Sequence, residues 1–186
     1  AEQFTKKVKH ELQFLNMPGI EFQVEQERVP LNSNGCDKIQ FLISVNPGEP
    51  AKPIAKIASG GELSRIMLAI QTVLSAHDDL DTMIFDEVDT GISGSAAQKV
   101  GLKLHEVSRY AQVICITHLA QIACLADYHL LIQKQVTENK TYTQVIPLSK
   151  EAQIKEIARM IGGETITPLL LQNAQEMIDS AKQLKA

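Results

Sequence analysis

The residues of this chain best suited to chemistry fall in three groups: Ser59-Gly60-Gly61-Glu62, the acid pair Asp86-Glu87, and Thr117-His118. A helix N-terminus presents unpaired backbone N–H groups and a partial positive charge, and adjacent glycines let an anion approach that backbone with no Cβ in the way. Ser59-Gly60-Gly61 therefore reads as a phosphate cradle if a helix begins there. Two acids directly after a buried apolar strand, here Met83-Ile84-Phe85, are costly unless they point into a polar site. Asp86 is placed to hold Mg2+ through its waters, and Glu87 to polarise a water that attacks a γ-phosphate. His118 follows a second apolar run, Ile114-Cys115-Ile116, and at the end of a neighbouring strand would lie beside Glu87, within reach of the same phosphate or water. Each group alone has an ordinary explanation: a helix cap, a solvated turn, a structural histidine. Their succession along one chain points to triphosphate hydrolysis. No Gly-x-x-x-x-Gly-Lys-Ser/Thr loop occurs among the 186 residues, however, so another segment must cradle the remaining phosphates.

Positioning these groups requires a helix that opens at Ser59 and strands that end near Phe85 and Thr117. Ser59 and Glu62 form a capping box, and Leu63, Ile66, Ile70, Val73 and Leu74 continue one apolar helical face. Residues 82–85 and 113–117 are short apolar or β-branched runs without alternation, which predicts strands buried on both faces of a mainly parallel sheet. Between them, residues 96–109 read as a helix with Val100, Leu104 and Val107 inward and Ser95/Gln98 as a capping pair. The acids and His118 then sit at strand C-terminal ends, where open α/β sheets bind ligands.

Upstream, Phe4, Val8, Leu12 and Leu15 fall near helical spacing until Pro18-Gly19, as at the end of a longer helix entering the domain. Ile20, Phe22 and Val24, then Ile39, Phe41, Ile43 and Val45, alternate with polar residues and predict a β-hairpin with a long loop around Asn34-Gly35. The prolines and glycine of residues 46–53 predict a loop without regular structure. Downstream come a short helix at residues 119–125 and a hairpin, residues 129–136 and 141–147, flanking Thr137-Glu138-Asn139-Lys140. One further helix carries Ile154, Ile157 and Ile161 and stops at Gly162-Gly163; the last starts after Thr167-Pro168. The expected class is α/β: a mainly parallel sheet flanked by helices, with peripheral β-hairpins.

A hydrophobic content of 44% suffices for a real core, and an aromatic content of 4% without Trp makes that core aliphatic and argues against an aromatic platform for stacking bases. The formal net charge of -4 argues against strong nonspecific DNA binding by this chain alone. Cys36, Cys115 and Cys124 form neither a C-x-x-C pair nor a zinc spacing, and read as reduced thiols of a cytosolic protein. No apolar run approaches the ~20 residues of a membrane helix. A start at Ala1 rather than Met fits an excised piece. His10, His77, His105 and His129 read as surface or packing residues, Arg65 as an ordinary exposed Arg ahead of one that reaches a nucleotide or DNA, and Lys6, Lys7 and Lys9 as a solvated helix face ahead of one that holds DNA.

In order and spacing, Ser59 to Glu62, the strand with Asp86-Glu87, the turn from Asp89 to Ser93, and His118 resemble the signature motif, Walker B strand, D-loop and switch histidine of the ABC ATPase superfamily. Asp86-Glu87-Val88-Asp89 is similar to heads of the structural-maintenance-of-chromosomes (SMC) class rather than to transporters, which usually carry Pro-Thr after the acid pair. Residues 58–70, 86–94 and 117–123 resemble a bacterial family of that class acting in DNA double-strand-break repair and recombination. The resemblance implies a P-loop ATPase head of two lobes far apart in sequence. Residues 1–16 would end a coiled-coil arm, residues 17–186 would form the C-terminal lobe, and Walker A would lie in an N-terminal lobe. It implies ATP and Mg2+ as cofactors, Glu87 and His118 as catalytic residues and Asp86 as the metal ligand. Ser59, Gly60, Gly61 and Glu62 of one head would close on ATP held by a second head of a homodimer, with Asp89, Gly91 and Ser93 of the D-loop touching that partner. Ser93 stands where many ABC proteins carry Asp. It further implies DNA as a partner of the intact protein, no membrane, a cytoplasmic and nucleoid-associated location, and little ATPase activity for this lobe alone. Two other classes share the motifs. A transporter's nucleotide-binding piece is disfavoured by Val88-Asp89 and the arm-like helix, and a noncatalytic head-pairing module by the intact set of Asp86, Glu87 and His118.

Overall fold

The computed structural model describes residues 1–46, 48–57, 59–75, 80–137 and 140–185. Ala58, His77, Pro47 and the Glu138-Asn139 pair, on which parts of the sequence reading fall, lie outside them. The chain forms two compact units, Ala1–Ile116 and Thr117–Ala186.

The first unit opens with α1 (Glu2–Phe14), whose Val8 and Leu12 are buried together with Leu15 just beyond it. Phe4, on the same helix, packs against Phe22 and Phe41 with ring centroids 6.0 and 5.8 Å away. Asn16 takes the left-handed conformation (φ 65) that ends the helix, a role Asn fills more readily than most residues. Strands β1 (Glu21–Asn32) and β2 (Gly35–Ser44) then pair antiparallel. The connection is far tighter than expected: Asn32 pairs with Gly35, so only Ser33 and Asn34 turn the chain, and the register shifts between Arg28 and Asn32. That irregularity accommodates Pro30, which cannot donate to a ladder. The segment expected to lack structure contributes β3 (Lys52–Pro53), which adds to the edge of β2, and a 3-10 turn at Ile54–Lys56. Proline is tolerated there because β3 is an edge strand.

Helix α2 (Gly60–Leu74) buries Ile66, Leu68, Ala69 and Ile70 and packs on α1. Strand β4 (Thr82–Phe85) pairs in parallel with β5 (Gln112–Cys115), and α3 (Gly94–Val107) connects them, burying Val100, Leu104 and Val107. The parallel element is thus a two-stranded pair, with the antiparallel sheets separate from it. Its helix begins earlier than expected, with Ser93 rather than Ser95 at the N-cap position and no side-chain cap bond. The strands are not buried on both faces either. Met83 and Phe85 point into the core, whereas Ile84, Ile114 and Ile116 are 68%, 42% and 46% exposed. Burial in β4 alternates for want of a second layer on that face.

Lys103 of α3 ties the unit's ends together: its Nζ lies 2.6 Å from Glu11 of α1 and 2.7 Å from Glu106, and 4.8 Å from the centre of the Phe14 ring. Burial alone would lower the Lys103 pKa, but the hydrogen bonds to Glu106 and Glu11 outweigh it and hold the ammonium above its ordinary value. The side chains of Lys103 and Glu11 are only 12% and 14% exposed, so Lys103→Ala should leave a mostly buried carboxylate unpaired and cost about 3 kcal/mol, read as a lower thermal unfolding midpoint.

The second unit contains a one-turn helix, α4 (Ala120–Ala123), the hairpin β6 (Leu130–Thr137) with β7 (Lys140–Pro147), and helices α5 (Lys150–Gly162) and α6 (Pro168–Lys185). Helix α5 ends as expected, Gly163 supplying φ 80 at its C-cap. Helix α6 begins at Pro168 and packs closely enough on α5 that a Cβ at Gly162 would collide with Leu170. Lys185, near the end of α6, donates to the Leu125 carbonyl at 3.0 Å.

Candidate functional site

One half of the expected capping box forms: Ser59 Oγ accepts the Glu62 N–H at 3.4 Å, starting α2 at Gly60. The N–H groups of this first turn have no helical acceptors, and Ser59 and Gly60 are exposed. Directly after β4, Asp86 Oδ1 accepts the Glu87 N–H at 2.9 Å, and both acidic side chains are exposed. Glu87 has a left-handed backbone (φ 57), and the Thr90 N–H donates to its carbonyl at 3.1 Å, closing a turn. Val88 and Asp89 are buried beneath that turn, while Gly91 (φ 76) and exposed Ser93 lead into α3.

Helix start and acidic turn are bonded to each other. Ser64 Oγ donates to the Asp86 carbonyl at 2.7 Å, and Arg65 Nη1 to the carbonyls of Thr90 at 2.8 Å and Val88 at 3.4 Å. Arg65 is 7% exposed, which overturns its reading as a solvated residue. Burial lowers its pKa and nearby Glu62 partly offsets the effect. One signal was available: Gly61, Arg65, Leu68 and Ala69 share a helical face, and all four are buried.

The two glycines do different work. A Cβ at Gly61 would stand 2.8 Å from Thr90 Cβ and 2.9 Å from the Thr90 carbonyl oxygen, so Gly61 permits the close approach of helix and turn. A Cβ at Gly60 would meet only Oε2 and the carboxyl carbon of Glu87. The structure therefore sets the Glu87 carboxylate directly against Gly60, on the positive end of α2. A cavity of about 530 Å3 adjoins this cluster, with Glu62, Arg65, Gly91 and Ser93 in its wall.

Of the residues singled out by sequence, Ser59 to Glu62, Asp86, Glu87, Asp89, Gly91 and Ser93 all belong to the first unit. His118 belongs to the second, exposed in the extended segment before α4, where the Leu119 N–H donates to Thr117 Oγ1 at 3.1 Å. Among the described residues no three His, Cys, Asp or Glu side chains gather as a metal cage. Cys115, at the end of β5, is pushed up to about 12 by burial and secondarily by Asp89 and Asp86, so it stays a thiol at neutral pH and is no nucleophile.

The Smc head domain with a coiled coil and joint from Pyrococcus yayanosii is similar to this structure at TM-score 0.59 and 23% identity, over 84% of this chain and 28% of that one. The fold is accordingly that of part of an Smc head domain. No family model matches the chain. The DNA repair protein RecN of Bacillus subtilis (strain 168) is 49% identical over 162 residues, which cover 87% of this chain and 28% of that protein. RecN of Halalkalibacterium halodurans is 43% identical over the whole chain and 34% of its own length. The chain belongs to the RecN family and spans about a third of the length of these relatives.

Proposed function

We propose that this lobe is half of an ATPase head acting in DNA repair and recombination, and that it works only when joined to an N-terminal lobe carrying Walker A and paired with a second head. The observation that carries this reading is the bonded cluster itself: an exposed glycine helix start and an exposed Asp86-Glu87 pair held in one rigid piece. The residues present suit the γ-phosphate end of a nucleotide, since Gly60 adds no side chain to the exposed α2 terminus and what rests there is the flexible Glu87 carboxylate, an anion that a phosphate can displace. When bound, ATP with Mg2+ supplies the phosphoanhydride to be cleaved and the charge neutralisation that cleavage needs. Asp86, free of salt bridges among the described residues, holds the metal's water shell. Glu87 would accept a proton from the attacking water, and His118 would be a second catalytic residue of the hydrolysis. Ser59, Gly60, Gly61 and Glu62 bind the nucleotide held by the other head, with exposed Gly91 and Ser93 beside them at the pairing surface and Asp89 buried beneath the turn, where it supports that surface without touching the partner.

The exposed face of Ile84, Ile114 and Ile116 supports the need for another lobe, because an apolar sheet face of this kind is covered in a finished fold. DNA is engaged through the intact protein, in the cytoplasm on the nucleoid. The relatives in sequence are DNA repair proteins, which favours this reading over a transporter's nucleotide-binding piece.

Gly60→Leu in the full-length parent tests the reading. The added side chain displaces only the flexible end of Glu87, so the fold should hold, while ATP-driven head pairing should weaken by roughly a hundredfold as the phosphate loses its backbone donors. Unchanged pairing in an ultracentrifugation titration with ATP would remove the glycine start from the site.

A further inference from the structure

We propose that Arg65 is a positioning residue for hydrolysis: it clamps the turn that carries Glu87 onto α2, so that contact at the start of α2 is felt at the same head's own carboxylate. This rests on the reading of Glu87 as the proton acceptor. The geometry is specific. Arg65 is 7% exposed and spends its Nη1 on two carbonyls, those of Val88 and Thr90, which lie on either side of buried Asp89. A guanidinium suits this task because it stays charged and its plane holds the Nη1 donors in fixed directions, whereas lysine ends in a freely rotating ammonium on a differently shaped stem that does not reproduce that geometry. Ser64, the preceding residue, holds the Asp86 carbonyl at 2.7 Å, so the turn is gripped on both sides of Glu87. Gly61 removes the last spacer between helix and turn.

Such a grip matters because Glu87 has no backbone latitude of its own. Its φ of 57 lies where a Cβ is disfavoured, and a turn in that conformation persists only while its surroundings impose it. Arg65 is the strongest of those impositions, being a charged donor in a buried setting. Movement of the α2 start, as on closing over a partner's nucleotide, must carry the turn and its carboxylate with it. The helix start and the carboxylate beside it are thereby mechanically one.

The test is Arg65→Lys beside Glu87→Gln, both in the full-length parent, with kcat, KM for ATP, ATP-dependent pairing and the melting temperature measured for each. The expected result for Arg65→Lys is a kcat lower by at least about tenfold, as for a catalytic group displaced by a fraction of an ångström, with KM and pairing within about twofold of wild type. A residue acting only on folding would shift the melting temperature and leave kcat per folded molecule untouched. If Glu87→Gln stalls hydrolysis while Arg65→Lys turns over at the wild-type kcat, the clamp is wrong and the site reading stands. If Arg65→Lys raises KM or weakens pairing and leaves kcat alone, Arg65 acts on the nucleotide or the partner instead, and the clamp is again overturned. Normal turnover by Glu87→Gln would sink the site reading itself. Should Arg65→Lys fail to fold, Ser64→Ala decides in the same assays, since it removes the other tie and should lower kcat by about threefold with KM unchanged.

Discussion

Replacing Glu87 by Gln in the full-length parent should leave ATP binding and ATP-dependent head pairing intact while slowing hydrolysis by at least about a hundredfold. The amide has nearly the same volume as the carboxylate and can rest against Gly60 in the same way, so the turn closed by the Thr90 N–H is not disturbed. What disappears is the acceptor for the proton that leaves the attacking water. The measurement is single-turnover phosphate release beside a pairing assay. Paired heads that still release phosphate at the wild-type rate would show that another group takes the proton, with Asp86 the nearest alternative.

The second large effect concerns the chain on its own. Purified as its 186 residues, it should release no phosphate from Mg-ATP above the spontaneous rate, and addition of the N-terminal lobe as a separate polypeptide should restore turnover. The reason is chemical division of labour: the chain offers an acidic turn and a helix start but no Gly-x-x-x-x-Gly-Lys-Ser/Thr loop to grip the inner phosphates. Calorimetry should likewise find no tight ATP binding by the chain alone. Measurable turnover in its absence would mean that the lobe holds the whole nucleotide by residues not assigned above, and the two-lobe reading would fall.

Much of this was legible because it is encoded locally. Ser59 and Glu62 announce the start of α2, Gly162-Gly163 the end of α5, and Pro168 the first turn of α6, each through a backbone requirement that a single residue type meets. What stayed hidden depends on partners distant in sequence. Residues 25–31 of β1 are mostly exposed on both faces, so no alternation betrays the long hairpin, and its ladder is a matter of backbone pairing with β2. Strand β3 hides behind Pro53 for the same reason. Arg65 was misread because its acceptors are main-chain carbonyls 23 and 25 residues away, which carry no side-chain signature. In β4 and β5, apolar runs correctly foretold strands but not that Ile84 and Ile114 would face outward, since hydrophobicity says that a face is to be covered and not which polypeptide covers it.

On the role proposed for Glu87, its left-handed backbone puts durability and turnover in opposition at one codon. Glycine there would relieve a conformation that costs an L-residue about 1 kcal/mol, and asparagine would bear it more easily than most side chains. Either exchange would make a sturdier protein and an idle one. Selection for heat resistance alone should therefore drift away from the acid at this codon, and only selection that demands ATP consumption should hold it in place.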